Sequence, residues 1–379
     1  MRTTFNIFLL GAIYLTCAFS SNAQIVVGSG THIATSKSLQ IAFDNNLIVS
    51  SDQADFSNAT LSLSGADQNL NNQNASTPLV LGGLIVGQNG ALNNGTIGIS
   101  GPWEITGSLV FNDGVIVPGS DGKITQTIKN GVPGDIIINN QESFVNGAFF
   151  SKGVGIRFFP IGNSNGYFPS QLFNVTQADL EVGMRVVESN SSLSHENDIL
   201  GIFKSRYWEL IDPSNSLIGP LLAVSTFQTS DFITPGVGTV VVGSTGKAGQ
   251  ATSLGGGING DYVVGASGIS ASDRIFTIAN VNSEQVVVKI HNVITPFQDN
   301  ANDYLQIENI DVFPENKVML LDRWGVKVKE WKNYANVLDT PSSSHDLSKV
   351  ATGNYICILE YKDGNTTKKL SQMITIINH

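Results

Sequence analysis

Between residues 24 and 126 the apolar residues come in very short β-branched runs separated by Gly, Asn and Ser, and this punctuation limits the fold more than any other feature of the chain. Leu39-Gln40-Ile41, Leu47-Ile48-Val49, Leu61-Ser62-Leu63, Leu79-Val80-Leu81 and Leu84-Ile85-Val86 come first. Ile97-Gly98-Ile99, Leu109-Val110-Phe111 and Val115-Ile116-Val117 follow. Where a run alternates, as at Leu61 and Leu63 or Ile97 and Ile99, both apolar side chains fall on one face of a strand. A three-residue strand cannot bury that face alone. Stacked as successive rungs, such runs bury a common core, which is the logic of a solenoid. The spacing is irregular, so two architectures stay open for 24–130. The preferred one is a short right-handed parallel β-helix or β-roll; the other is an irregular antiparallel sandwich.

From 131 to 291 the strands lengthen. Segments 134–139, 156–160, 183–188, 205–211, 221–227, 239–243, 261–266 and 285–291 read as strands of a β-sandwich. Phe144-Val145-Asn146-Gly147 followed by Phe158-Phe159-Pro160-Ile161-Gly162-Asn163, and then Tyr207-Trp208-Glu209-Leu210, resembles a block common in Bacteroidetes surface proteins. That block has a recurrent architecture and no assigned chemistry. Trp208 and the Phe cluster are expected in the core, where large aromatics dominate burial.

The 379 residues allow two or three domains. Hydrophobic residues at 41% can fill real cores, while charged residues at 14% and 39 glycines fit an extracellular β-rich chain better than a helical cytosolic enzyme. A net charge of −10 excludes nucleic acid as an expected partner, because phosphate binding needs clustered Lys and Arg. Residues 1–23 read as a secretory signal peptide: Arg2, an apolar core over 7–19, and Ser21-Asn22-Ala23 as a small-residue cleavage site. Tyr14-Leu15-Thr16 before Cys17 makes a poor lipobox, so cleavage before Gln24 is preferred to lipidation. No later segment is apolar and long enough to span a bilayer as a helix. Cys357 is then the one cysteine left, without a disulfide partner, and is expected as a small buried apolar residue. Nine of the 20 Lys and Arg residues beyond the leader lie after Asn292. That step marks a domain boundary, leaving 292–379 as a separate unit.

Within 292–379, residues 317–321 and 325–330 alternate on either side of Asp322-Arg323-Trp324-Gly325, a strand–turn–strand signature. Residues 354–362 alternate again and end at Asp363-Gly364, a strong hairpin signal. Residues 369–377 supply a last strand. The whole reads as a small Ig-like antiparallel sandwich. Three blocks stand out: Thr295, Pro296, Asp299, Asn302 and Asp303; then Pro314, Asn316, Arg323, Trp324, Gly325 and Val328; then Gly353 and Tyr355. In this order they resemble the gliding-motility-associated C-terminal domain, the type B sorting signal of the type IX secretion system of Bacteroidetes. Phe297, Gln298 and Asn300 replace the family's Asn, Gly and Gly, Leu338-Asp339 stands for Trp-Asp, and Ala351 replaces Pro, so this is a divergent member. The resemblance implies recognition by the type IX machinery after transit through the periplasm, and a secreted or outer-membrane surface location.

No catalytic constellation emerges. His32, His195, His291, His345 and His379 lie far apart, and His195-Glu196-Asn197-Asp198 lacks the second His of a zinc motif. Gly243-Ser244-Thr245-Gly246-Lys247-Ala248 has Val241 and Ala248 where a phosphate loop needs Gly and Ser or Thr. Asp299, Asn302 and Asp303 are weak candidates for calcium, but their side chains more simply cap turns. Trp103, Trp324 and Trp331 are candidates for stacking on sugar; Trp103 follows Gly101-Pro102 in an expected turn, and Trp324 reads as structural. The expectation is an all-β surface protein, not an enzyme, with no cofactor. Its passenger is structural or adhesive and contacts a surface glycan or another surface protein; the alternative is a polysaccharide-binding or polysaccharide-degrading module. The solenoid stretch is poor in the basic and acidic residues that polysaccharide chemistry needs.

Overall fold

The computed structural model describes residues 15–16, 24–28, 33–34, 39–43, 46–52, 54–64, 67–74, 76–87, 95–128, 136–188, 192–229, 238–281, 287–297, 302–310, 313, 315–336, 345–363 and 366–378. Every regular element among them of more than one residue is a β-strand, so the protein is all-β. The expected signal peptide lies outside the described residues except for Leu15–Thr16. The chain divides into two compact units: Met1–Ser170 with Thr176–Val187 and Glu209–Ser214, and Gln171–Val175 with Glu188–Trp208 and Asn215–His379.

In the first unit the chain visits three parallel ladders in rotation. One joins Gln24–Val27, Asn46–Val49, Gln68–Asn72, Thr96–Ser100, Val115–Pro118, Val145–Asn146 and Ile161–Asn163. A second runs Leu81, Ile105, Gln126, Ser151 across neighbouring strands. The third runs Leu61, Leu84, Leu109, Ile136. Leu61, Leu84 and Leu109 are buried, each contributing on the order of 1.5–3 kcal/mol of apolar burial. No strand could do this alone; the row can, because equivalent positions stack. Leu79–Val86 serves two ladders, its first half pairing with Trp103–Ile105 and its second with Leu109–Phe111, with Gly82-Gly83 between. Gly107 lies against Gly82, and a Cβ there would lie 1.9 Å from the Gly82 carbonyl oxygen.

The abundant Asn residues work between successive turns of the chain. Asn139 Nδ2 donates to Asn112 Oδ1 at 2.7 Å, and Asn112 Nδ2 to the Gly87 carbonyl at 3.1 Å. Asn74 Nδ2 donates to the Ser51 carbonyl at 2.9 Å. Parallel pairing continues past residue 130, through Val145–Asn146 and Phe149–Lys152 to Ile161–Asn163. The longer strands after 131 therefore do not begin a new architecture at once, because Phe149 and Val145 still stack inward on the preceding turn. Pairing in the second ladder turns antiparallel only at Phe149–Lys152 with Val182–Glu188. Trp103 is also unlike its expectation. Pro102 opens a strand, Trp103 is buried, and its Nε1 donates to the Ser100 carbonyl at 3.0 Å.

The second unit is largely antiparallel. Gly238–Ser244 pairs along its whole length with Ile275–Val281, and Leu221–Ser225 pairs with Tyr262–Val264. Ile199, Ile202, Tyr207, Val240, Val242, Ile275 and Ala279 share a core, and Trp208 is fully buried. The same unit ends in a body with its own core. Its strands are β1 (Lys289–Ile290), β2 (Val293–Ile294), β3 (Ile307–Glu308), β4 (Asn316–Leu321), β5 (Lys327–Lys332), β6 (Gly353–Asp363) and β7 (Thr366–Ile376). A five-stranded sheet has the order β2-β7-β6-β4-β5, and β1 pairs with β3 apart from it. Alternation sends Val318, Leu320, Trp331, Tyr355, Cys357, Leu359, Ile374 and Ile376 to one face. Val288, Ile290, Leu305, Ile307, Phe313 and Leu347 close over that face. The core begins at Val288, ahead of the boundary expected at Asn292, because Val288 and then Ile290 of β1 both point into it.

Candidate functional site: the motif end of the C-terminal sheet

The register brings the three sequence blocks to one end of the five-stranded sheet. Leu321, the last residue of β4, pairs with Ile356 on one side and Lys327 on the other, so the turn 322–326 lies at that end. Gly353 pairs with Ile376, and Ile376 with Ile294, which precedes Thr295. Local sequence chemistry builds the turn. Asp322 Oδ1 accepts from the amides of Trp324 and Val326, both at 2.9 Å, and Gly325 takes φ +79°, where a side chain would be strained. Arg323 and Trp324 are left at the top, with the guanidinium 5.9 Å from the indole centroid. Trp324 is 81% exposed, standing clear of the domain's core.

Other motif residues hold the body together. Asn316 is buried; its Nδ2 donates to the carbonyls of Phe313 and Tyr334, and its Oδ1 accepts from the Tyr334 amide at 2.7 Å. Tyr355 Oη donates to the Ala351 carbonyl at 2.7 Å, inside the same block. The Thr295 amide donates to the Asn302 carbonyl at 2.8 Å, and Asn302 takes a left-handed φ of +56°. Asp303 is buried. Asp299, Pro314, Gln298, Asn300, Leu338 and Asp339 lie outside the described residues. Among the described residues no three metal-ligating side chains gather. A Cβ at Gly353 would sit 3.9 Å from the Tyr355 ring, so nothing there demands glycine.

Sequence reasoning passed over Asn336 and found no role for His345. Asn336 Oδ1 accepts from the Ile307 amide and its Nδ2 donates to the Ile307 carbonyl, at 2.9 and 2.8 Å, pairing a side chain with β3 as a strand would. His345 packs against Trp331 and Tyr334, and burial, then the nearby Lys329, lowers its pKa. Cys357 is fully buried, and burial pushes its thiol up to about 12. Burial alone would raise the Glu308 carboxyl, but hydrogen bonds from Lys289 and His291 hold it below the ordinary value.

The outer face of the sheet divides in two. At the far end, charges pair across strands: Lys369 with Glu360 at 2.9 Å, Lys317 with Glu330 at 3.5 Å, and Lys362 with Glu315 at 2.5 Å. At the motif end the cross-strand row is Leu321, Ile356, Met373. The body is thus a β domain with its own core, covered on one face of its five-stranded sheet. Residues 288–376 match the CHU_C family model, the type IX secretion signal domain. The C-terminal body therefore carries a signal for export by the type IX secretion system, to the cell surface or outside the cell. It bears out the resemblance carried by Thr295, Arg323, Trp324, Gly325 and Tyr355. No curated protein and no solved structure matches the chain. No helix among the described residues is long and apolar enough to cross a membrane.

Proposed function

We propose that this chain is a non-catalytic surface protein, carried to the periplasm by residues 1–23 and then outward by its C-terminal domain, with a structural or adhesive passenger. The observation that carries this reading is the rotation of the first unit among three parallel ladders, which supports a β-solenoid. Such an elongated stack offers repeated surface for contact with a glycan or another surface protein. Its polar groups are spent on its own turns, as Asn112, Asn139 and Asn74 are.

A polysaccharide-active passenger is the second reading, and one cluster favours it. Glu104 holds Lys152 at 2.8 Å and Thr127 at 2.7 Å, while Glu181 holds Lys123 and Thr125, with Lys123 4.7 Å over the Phe150 ring. Acids, bases and an aromatic ring share this patch. Both carboxylates are tied to lysines, however, and an acid–base pair needs one group free to exchange a proton. The test is a polysaccharide panel incubated with the purified chain. Binding without shortening supports the first reading; shortening that disappears in Glu104→Gln supports the second.

A further inference from the structure

One side chain of the C-terminal domain reaches the antiparallel body that precedes it in the second unit. Asn309 follows β3 and stands between Ile307 and Ile310, both fully buried in the domain's core. Its Nδ2 donates to the Val287 carbonyl at 2.8 Å, where the chain enters the domain. Its Oδ1 accepts from the Gly256 amide at 3.0 Å. Gly256 belongs to the other body. The Leu254 amide donates to the Val241 carbonyl at 2.8 Å and the Val241 amide to the Gly255 carbonyl at 3.3 Å, which ties the turn 254–256 to the buried strand Gly238–Ser244. Gly257–Asn259 then pairs with Tyr262–Val264. The backbone on both sides is set for the contact. Asn309 takes a φ of +62°, a left-handed conformation that Asn enters more readily than most residues. Gly255 and Gly256 take φ +66° and +93°. A Cβ at Gly255 would lie 2.3 Å from Asn309 Oδ1, so glycine there leaves the room that the amide fills.

We propose that Asn309 is a latch that couples the stability of the C-terminal domain to that of the antiparallel body. The bond to Val287 alone would be a brace within the domain. The bond to Gly256, and the space that Gly255 keeps for it, extend that brace across to a second core. The Gly256 bond exists only while both bodies are closed, so each closed body favours the other, and by linkage the effect is reciprocal. The latch does not depend on what recognises the domain, so its failure would leave the export reading as it stands.

The test is a double-mutant cycle in the full chain, with labelling of Cys357 by a thiol reagent as the readout of opening in the C-terminal core. Gly255→Ala sets a methyl group against Asn309 Oδ1 from the other body. Asn309→Gly removes the amide at a φ that glycine accepts. Gly260→Ala is the control: Gly260 also has a positive φ, +57°, in the next turn, and no described atom lies within 4 Å of a Cβ built there. Gly255→Ala is expected to raise Cys357 labelling about fivefold, the factor that one net hydrogen bond commands. Gly260→Ala should leave it within about twofold of the parent. Asn309→Gly should raise it at least as much as Gly255→Ala does, since the Val287 bond is lost as well, and adding Gly255→Ala to Asn309→Gly should raise it no further. The proposal is overturned if Gly255→Ala leaves Cys357 labelling unchanged, raises it no more than Gly260→Ala does, or still adds its full effect in the Asn309→Gly chain. Should Asn309→Gly leave Cys357 fully open, the comparison of Gly255→Ala with Gly260→Ala decides on its own.

Discussion

Replacing Asn316 by alanine should loosen the C-terminal domain without touching its exposed surface. Its side chain makes three hydrogen bonds inside the body: to the Phe313 and Tyr334 carbonyls at 2.8 and 2.9 Å, and from the Tyr334 amide at 2.7 Å. These bonds tie the start of β4 to the segment that leaves β5. Each net bond is worth about 1 kcal/mol, and a buried group left without a partner costs at least that, so the loss is about 3 kcal/mol. A change of that size raises the population of opened domain roughly a hundredfold. Cys357 reads it directly. Its thiol is buried and its pKa is raised to about 12, so a thiol reagent at neutral pH reaches it only when the body opens. The labelling rate of Cys357 in Asn316→Ala should rise by about two orders of magnitude at constant reagent. Trp324→Ala, at a residue 81% exposed, should change it by less than about threefold. If Asn316→Ala labels no faster than Trp324→Ala, the three bonds do not hold the domain together and the reasoning fails.

Three more outcomes follow from particular residues. Arg157 is fully buried, burial lowers its pKa to about 10, and its guanidinium donates to the carbonyls of Ser151, Gly153 and Gln177. Arg157→Lys cannot reproduce that fork, and urea unfolding of the first unit should show a loss of about 2–4 kcal/mol. Gly107→Ala puts a Cβ against the Gly82 carbonyl oxygen, and a lower midpoint in the same urea experiment is expected, by several degrees in a thermal melt. The folded Glu308 carboxyl titrates below its unfolded value, so its contribution is present above the ordinary carboxylate pKa and is lost as pH falls through the folded one. Glu308→Gln should therefore weaken Cys357 protection at pH 7 and leave it nearly unchanged near pH 3, and the opposite ordering would contradict the ion cluster with Lys289 and His291.

How much of this was legible in the sequence depended on how local the cause is. The turn 322–326 is written in four adjacent residues, with Asp322 capping two amides and Gly325 supplying the positive φ, so the motif gave it away. The alternation of β4, β6 and β7 likewise separated inner from outer residues, and Cys357 is buried as its neighbours implied. The three ladders of the first unit were only half visible. Their stacking depends on which residues meet after a whole turn of chain, and loops of unequal length hide that period. Trp103 was misplaced because Gly101-Pro102 reads as a turn, whereas Pro102 here begins a strand and the indole is buried. Asn316 and Asn336 bind partners 18 and 29 residues away, so their roles needed the fold. At the candidate site the sequence named Trp324 but not its exposure. Neither Ile356 nor Met373 stood out until the register set them side by side.

The most direct measurement attaches residues 1–23 and 287–379 to a fluorescent protein, so that the core from Val288 onward is complete. The fusion is then followed in a type IX-competent host and in one lacking the machinery. Fluorescence accessible to protease on intact cells, or in the medium, only in the competent host is the predicted result. Retention inside both, with Cys357 protected and the domain therefore folded, would contradict the claim that this domain directs export.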